Sequence, residues 1–502
     1  MRNTILILAL SLLLPLPSLA AEAANKAPVS LQTEECIGCH IIATPGIVKD
    51  WQKSRHSRIV PAQALKKEKL ARRVSSDSIP EALSNVAVGC YECHGQNTDS
   101  HADSFEHNGY TINVVVSPVD CSTCHAVEAK QYSGSKKAMA HGNLMDNPLY
   151  MTLAGSILGH KKWVDGEFKA AVASSNALHE TCLGCHGTRI EVRGMKTIDT
   201  DLLGEIQVPD LAGWPNVGVG RINPDGSFGS CTACHPRHSF SIEIARKPYT
   251  CAQCHVEPDT PAWNVYKESK HGNIYLSKKE EWDFDNVPWV LGEDFTAPTC
   301  SVCHNSLITN LDGEVLAERT HDFGSRLWVR LFSLIYSHPQ PRKGDVTIIR
   351  NADGLPLPTT FAGDPATEYL IDEAVQEKRK ASMTAVCGGC HSTDWYTGHF
   401  AKMDKTIEEV DRMILTATQV MQSAWDAGVA DGSNPFDEAI EKRWALQWLF
   451  YANSIKYSSA MTGAPDYATF KNGWWEMSRN LEEMKEMINL KKSTQYPVPS
   501  SQ

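Results

Sequence analysis

The chain has 502 residues and carries 48 lysines and arginines against 59 aspartates and glutamates, a formal net charge of −11 at pH 7. That acidic balance excludes the dense basic face that nucleic-acid binding needs and suits a basic partner protein or plain solubility. The hydrophobic fraction of 42% lies slightly below the usual globular range, and length alone allows two to four domains.

At the N-terminus, Met1-Arg2-Asn3 precedes an apolar run from Thr4 to Leu16 and then Ser18-Leu19-Ala20. This is the pattern of a secretory signal cleaved after Ala20. The run is short for a membrane anchor, and no later stretch is long and apolar enough to span a bilayer. Residues 1–20 are therefore expected to be removed, leaving an exported, periplasmic protein with no integral membrane segment.

The sixteen cysteines fall into eight C-x-x-C-H motifs: Cys36, Cys39 and His40; Cys90, Cys93 and His94; Cys121, Cys124 and His125; Cys182, Cys185 and His186; Cys231, Cys234 and His235; Cys251, Cys254 and His255; Cys300, Cys303 and His304; and Cys387, Cys390 and His391. In this motif the two thiols add to the vinyl groups of a haem and the histidine becomes an axial iron ligand. One copy alone is equally compatible with chance or with half of a zinc site. Eight copies that use every cysteine predict eight covalently bound c-type haems, with haem supplying much of the core.

Residues 25–145 carry three motifs joined by polar, loop-rich segments. Trp51-Gln-Lys-Ser-Arg-His56 places an aromatic five residues before a histidine; the spacing returns at Tyr266-Lys-Glu-Ser-Lys-His271, and in a looser form from Tyr132 to His141. On a short helix the ring packs on a porphyrin while the histidine reaches iron. Eleven of nineteen histidines lie outside the motifs. An all-bis-histidine protein would use eight of them, whereas one open iron for substrate leaves seven distal ligands. The candidates are His56, His141, His238, His271 and His321, then His107 and His179, ahead of His101, His160, His338 and His399.

Residues 146–230 hold the fourth motif and a glycine-, proline- and aspartate-rich stretch with poor helical periodicity. The fifth and sixth motifs follow close together, with His238 between them, and a tryptophan-rich segment from Glu281 to Trp289 precedes the seventh. Beyond the eighth, residues 404–429, 435–458 and 471–491 show apolar residues at helical intervals, as at Ile407, Val410, Met413 and Ile414. Three long helices are expected, broken between the last two by Gly463 and Pro465. The fold class is mainly α: a multihaem cytochrome c with a loop-rich haem-binding body at 21–400 and long C-terminal helices at 401–502 that serve oligomerisation.

Gly220-Arg-Ile-Asn-Pro-Asp-Gly-Ser, Cys231-Thr-Ala-Cys-His-Pro-Arg-His-Ser-Phe-Ser, Cys251-Ala-Gln-Cys-His and Tyr266-Lys-Glu-Ser-Lys-His-Gly, in that order, resemble the hydroxylamine oxidoreductase family. The resemblance implies a mostly α-helical octahaem subunit, usually a homotrimer, whose fourth motif carries the catalytic haem. His186 is then the proximal ligand of the active iron. After the sixth motif the family reads Gly-Pro-Asp-His-Pro, with the aspartate and histidine over the substrate. This chain reads Glu257-Pro-Asp259-Thr260-Pro261, so Asp259 is kept and Thr260, which cannot titrate near neutrality, replaces the histidine. Oxidative members crosslink a C-terminal tyrosine of a neighbouring subunit to the catalytic porphyrin, while reductive members lack it; Tyr467 is the candidate here, with Tyr451 and Tyr457 as alternatives.

The implied activity is oxidation of hydroxylamine to nitric oxide or nitrite, with Asp259 handling protons and either Arg221 or Arg237 available to hold anions, unless these pair with propionates. The implied redox partner is a small cytochrome c or a quinone-linked cytochrome. Two alternatives stand beside it: an ammonium-forming nitrite or hydroxylamine reductase on the same scaffold, and a non-enzymatic electron-transfer cytochrome in which every iron is bis-histidine.

Overall fold

The computed structural model describes residues 27–332 and 334–495; the expected signal segment at residues 1–20 lies outside them. Two textures meet in the fold, a body of short elements and a C-terminal helical layer. In the body many helices are barely longer than the motif they carry, as in Cys90–His94, Cys182–His186 and Cys300–His304. Prolines at the first turn start Pro118–Ser122 and Pro248–Ala252, where the missing N–H costs nothing. The first two motifs are tied by a buried relay: Ser30 caps Leu31–Ala43 by accepting from the Thr33 amide, and the Thr33 hydroxyl donates to the Glu92 carboxylate at 2.7 Å.

The strands are small hairpins that aim residues rather than form a core. Ser104–His107 pairs antiparallel with Tyr110–Asn113 through Asn108 and Gly109, whose φ values are 51° and 84°. That is the Asn-Gly turn whose twist matches paired strands, and it sets His107 beside the first motif. The longest pair, Glu191–Thr200 with Gly204–Ala212, has a bulge between Val192 and Met195 and stands largely in solvent.

The C-terminal layer is built on Thr393–Asp426, which starts directly after the eighth motif rather than at residue 404 and crosses the expected boundary at 400–401. Its buried apolar residues are Phe400, Met403, Ile407, Val410, Ile414, Ala417, Met421 and Ala424, alternating three and four apart, a seam of coiled-coil type. Against it pack Ala439–Leu446, a π-helical segment Gln447–Tyr451, Ala452–Ala460 and Trp474–Gln495. The second and third expected helices are thus present, with Pro465–Phe470 as a short turn of helix between them. Buried polar groups pin the layer: the Trp444 indole donates to Thr418 at 3.0 Å, and Lys456 pairs with Asp411 at 2.6 Å. None of the described helices is long and apolar enough to cross a membrane.

Candidate active site and haem chain

None of the sixteen cysteines is joined in a disulfide, and fourteen of them are half-buried. Together with the eight motif histidines they line one continuous internal cavity of about 2220 Å³, well beyond an ordinary ligand pocket. A packed interior does not tolerate so large an apolar void, so the space and its thiols fit a set of porphyrins.

Ring geometry points the same way. Two imidazoles bonded to opposite faces of one iron, each about 2 Å from the metal, hold their ring centres about 6 Å apart. His40 and His107 stand at 6.2 Å, His56 and His125 at 6.3 Å, and His271 and His391 at 6.1 Å. His238 acts electrostatically on His94, and His321 on His235. Burial holds His56, His235, His304 and His321 down at about 4, which keeps them as the neutral imidazoles that bind metal. Several motif rings are oriented through the other nitrogen. His94 Nδ1 meets the Asn113 carbonyl at 2.8 Å, and His186 Nδ1 meets the Ala140 carbonyl at 3.0 Å, leaving Nε2 toward the cavity as a ligand needs.

Two of the expected distal histidines are not brought to this cavity. His141, whose Nδ1 meets the Gly187 carbonyl at 2.7 Å, is not on the cavity wall. His179 sits on Ser175–Glu180, ahead of the fourth motif and outside the cavity wall. Among the lesser candidates, His399 lines the cavity, stacked on Trp395. His101 is instead clasped by Asp103 at 3.1 Å and Asp120 at 3.3 Å, with Asp225 at 3.8 Å. Burial disfavours its charge, but the two nearer carboxylates outweigh that and raise it to about 10. His338 is buried with Nδ1 on the Pro339 carbonyl at 2.6 Å, and His160 is exposed.

Thiol contacts order the motifs in space. Cys36 lies against Cys90, Cys121 against Cys231, Cys185 against Cys254, and Cys251 against Cys300. Cys93 lies near Cys124, Cys234 near Cys251, and Cys303 near Cys387. The motifs therefore run one-two-three-five-six-seven-eight, with the fourth branching from the sixth. A branch at the end of a short arm suits chemistry, and the through-line suits transfer.

At that branch Asp259 and His186 act on each other electrostatically. Burial pushes the Asp259 carboxyl up, against hydrogen bonds from its own amide and from the Thr260 amide and hydroxyl. Asn453 fixes the loop by donating to the Asp259 carbonyl at 2.9 Å. Tyr150 and Tyr457 line the same region; burial raises both hydroxyls, Tyr457 to about 12, with Arg330 opposing and Asp259 adding. Arg330, on the two-residue strand Val329–Arg330, lines the cavity too. Nothing in its sequence setting marks it. Arg221 and Arg237 also line the cavity, but both stack over Trp214 and donate to the Asn216 carbonyl. Tyr467 lies outside the cavity wall; its hydroxyl donates to Glu257 at 2.9 Å, and Lys471 pairs with the same carboxylate at 3.1 Å.

Residues 225–319 match the family model described as seven times multi-haem cytochrome CxxCH, and residues 35–126 match that of cytochrome c554 and c-prime. A curated relative from Kuenenia stuttgartiensis, "Probable nitrite reductase-hydroxylamine oxidoreductase fusion protein", is 27% identical over 293 residues, which are 55% of this chain. The matched part is 26% of that relative's length, so the chain spans about a quarter of it. Among solved structures, one titled "Hypothetical multiheme protein" is 42% identical with a TM-score of 0.88, covering 95% of this chain and 98% of that one. The reducing HAO-like protein complex of Kuenenia stuttgartiensis shares the fold at a TM-score of 0.60 and 17% identity, over 92% of this chain and 86% of that one. With thiols, paired imidazoles and the 42% identical relative in agreement, the chain belongs to the multihaem cytochromes c, with covalently bound c-type haems and a redox role.

Proposed function

We propose that this protein is a periplasmic octahaem oxidoreductase that interconverts hydroxylamine with more oxidised nitrogen compounds at the fourth motif. The observation that carries the reading is the half-buried Asp259, within electrostatic reach of His186 at the branch of the motif chain. A haem held by Cys182, Cys185 and His186 would supply the iron at which substrate binds and gains or loses electrons. Asp259, its carboxyl raised by burial, gives and takes protons there. Thr260 donates a hydrogen bond to that carboxylate and so orients it, without titrating itself. Arg330 provides positive charge for an anionic nitrogen oxide, and the Tyr150 and Tyr457 hydroxyls supply further donors. The histidine pairs His40–His107, His56–His125 and His271–His391 leave no coordination position for substrate at the first, third and eighth motifs, which makes those sites carriers.

A second reading, the reductive direction that forms ammonium from nitrite or hydroxylamine, is favoured by two observations. Thr260 stands in place of a titrating histidine, and the Tyr467 hydroxyl is engaged by Glu257 of its own chain. Oligomerisation, as a homotrimer through residues 401–502, is supported by exposed Phe470, Trp475 and Leu490 on the C-terminal helices.

The test is turnover of purified holoprotein with hydroxylamine and an electron acceptor, beside nitrite and a reduced dye. Turnover in one or both directions with about one high-spin iron per subunit is expected. All-low-spin haem with no turnover in either assay would leave the electron-conduit alternative instead.

A further inference from the structure

Three segments of the chain share one device. In each, an aromatic residue is followed three positions later by a buried serine whose amide donates to the aromatic's carbonyl at 2.9 Å: Ser54 to Trp51, Ser135 to Tyr132, and Ser269 to Tyr266. Each serine hydroxyl then accepts from the amide three residues on: Ser57 at 3.3 Å, Ala138 at 3.4 Å and Gly272 at 3.1 Å. In the last two the hydroxyl also donates back to the tyrosine carbonyl, at 2.6 and 2.7 Å. This is a serine-capped turn that presents the residue two past the serine to the cavity. In the first segment that residue is His56, facing His125; in the third it is His271, facing His391. In the middle one it is Lys137, whose Nζ lies 3.4 Å from His255 Nε2.

We propose that Lys137 is the distal axial ligand of the haem bound by the sixth motif, trans to His255. Two nitrogens on opposite faces of an iron stand about 4 Å apart, so a small withdrawal of the flexible lysine stem admits the metal. The ammonium releases its proton to solvent, and the freed lone pair makes the bond. An amine donates through σ orbitals only, in contrast to imidazole, so the junction joining the fourth, fifth and seventh motifs carries a ligand of different character from its neighbours.

The inference goes beyond the proposed activity and rests on haem occupancy of the sixth motif alone. It is tested on purified holoprotein as wild type, Lys137→His and Lys137→Met, using haem content, near-infrared magnetic circular dichroism and cyanide-binding stoichiometry. Wild type is expected to show one amine–histidine charge-transfer band. Lys137→His should replace it with bis-histidine intensity at equal haem content, and Lys137→Met should bind one further cyanide per subunit. A wild type without that band, a Lys137→Met protein with unchanged cyanide stoichiometry, or a sixth-motif peptide lacking haem by mass spectrometry would each overturn the assignment. Hydroxylamine and nitrite turnover, measured separately, bears on the proposed function and not on the ligand.

Discussion

Replacing Asp259 with asparagine keeps the side-chain shape and an acceptor for the Thr260 hydroxyl while removing the titrating proton. If that proton serves the reaction, turnover falls by about 10²- to 10⁴-fold, with haem content and optical spectrum unchanged. A different carboxylate logic governs His101. Its folded-state value is raised to about 10 from an unfolded value near 6.5, because Asp103, Asp120 and Asp225 face it, with the proximal His94 also nearby. A raised histidine contributes stability fully present below about pH 6.5 and lost as pH rises toward 10. The thermal midpoint of the wild type should therefore fall across that window more steeply than that of His101→Gln. Equal slopes would mean the three carboxylates do not hold an imidazolium.

At this scale the sequence revealed ligands by spacing and missed groups that have none. The eight motifs and the candidacy of His56, His107 and His271 as distal ligands were read from residue type and spacing, and the structure sets these three opposite motif histidines. Arg330, Tyr150 and Asn453 reach Asp259 only through tertiary folding from distant segments. Lys137 was legible in principle, since Tyr132 and Ser135 repeat the spacing of Trp51 and Ser54, but a search restricted to histidine passes over it in favour of His141.

Among elements, the helix Thr393–Asp426 shows how far periodicity carries. Its seam from Ile407 to Ala424 was readable as apolar residues at helical intervals, yet its start was not. The first turns, near the eighth motif, present Trp395 and His399 to His391 and to the cavity, so haem contact replaces the apolar pattern there. Ile414 is fully buried against the C-terminal layer. Truncating it in Ile414→Ala should cost about 2–5 kcal/mol, read as a lower denaturation midpoint with haem content retained. The π-helical segment Gln447–Tyr451 left no sequence signal. It is held by Gln447, which donates to the Met477 carbonyl at 3.1 Å and accepts from Asn480 at 2.7 Å, partners set by the packing of the last helix.

Considered as a whole molecule, the protein has a body organised around space that polypeptide does not fill. Length suggested several domains; the structure has one cavity of about 2220 Å³ touched by every motif, and a helical layer set against it. Chain produced without cytochrome c maturation should therefore fail to reach the native body, seen as loss of cooperative unfolding and rapid proteolysis between residues 27 and 390, since a void of this size cannot persist dry or collapse without rearrangement. A native-like, protease-resistant apoprotein would contradict that view. The order of the motifs in space was hidden from the sequence because neighbouring thiols, such as Cys121 and Cys231, come from segments far apart in the chain.

The central claim is that the fourth motif is the reactive branch and Asp259 its proton carrier. The most direct measurement is turnover of Asp259→Asn relative to wild type, at equal haem content, with hydroxylamine and with nitrite. A loss of about 100-fold or more in the active direction is the predicted result; wild-type turnover in the variant would contradict the account.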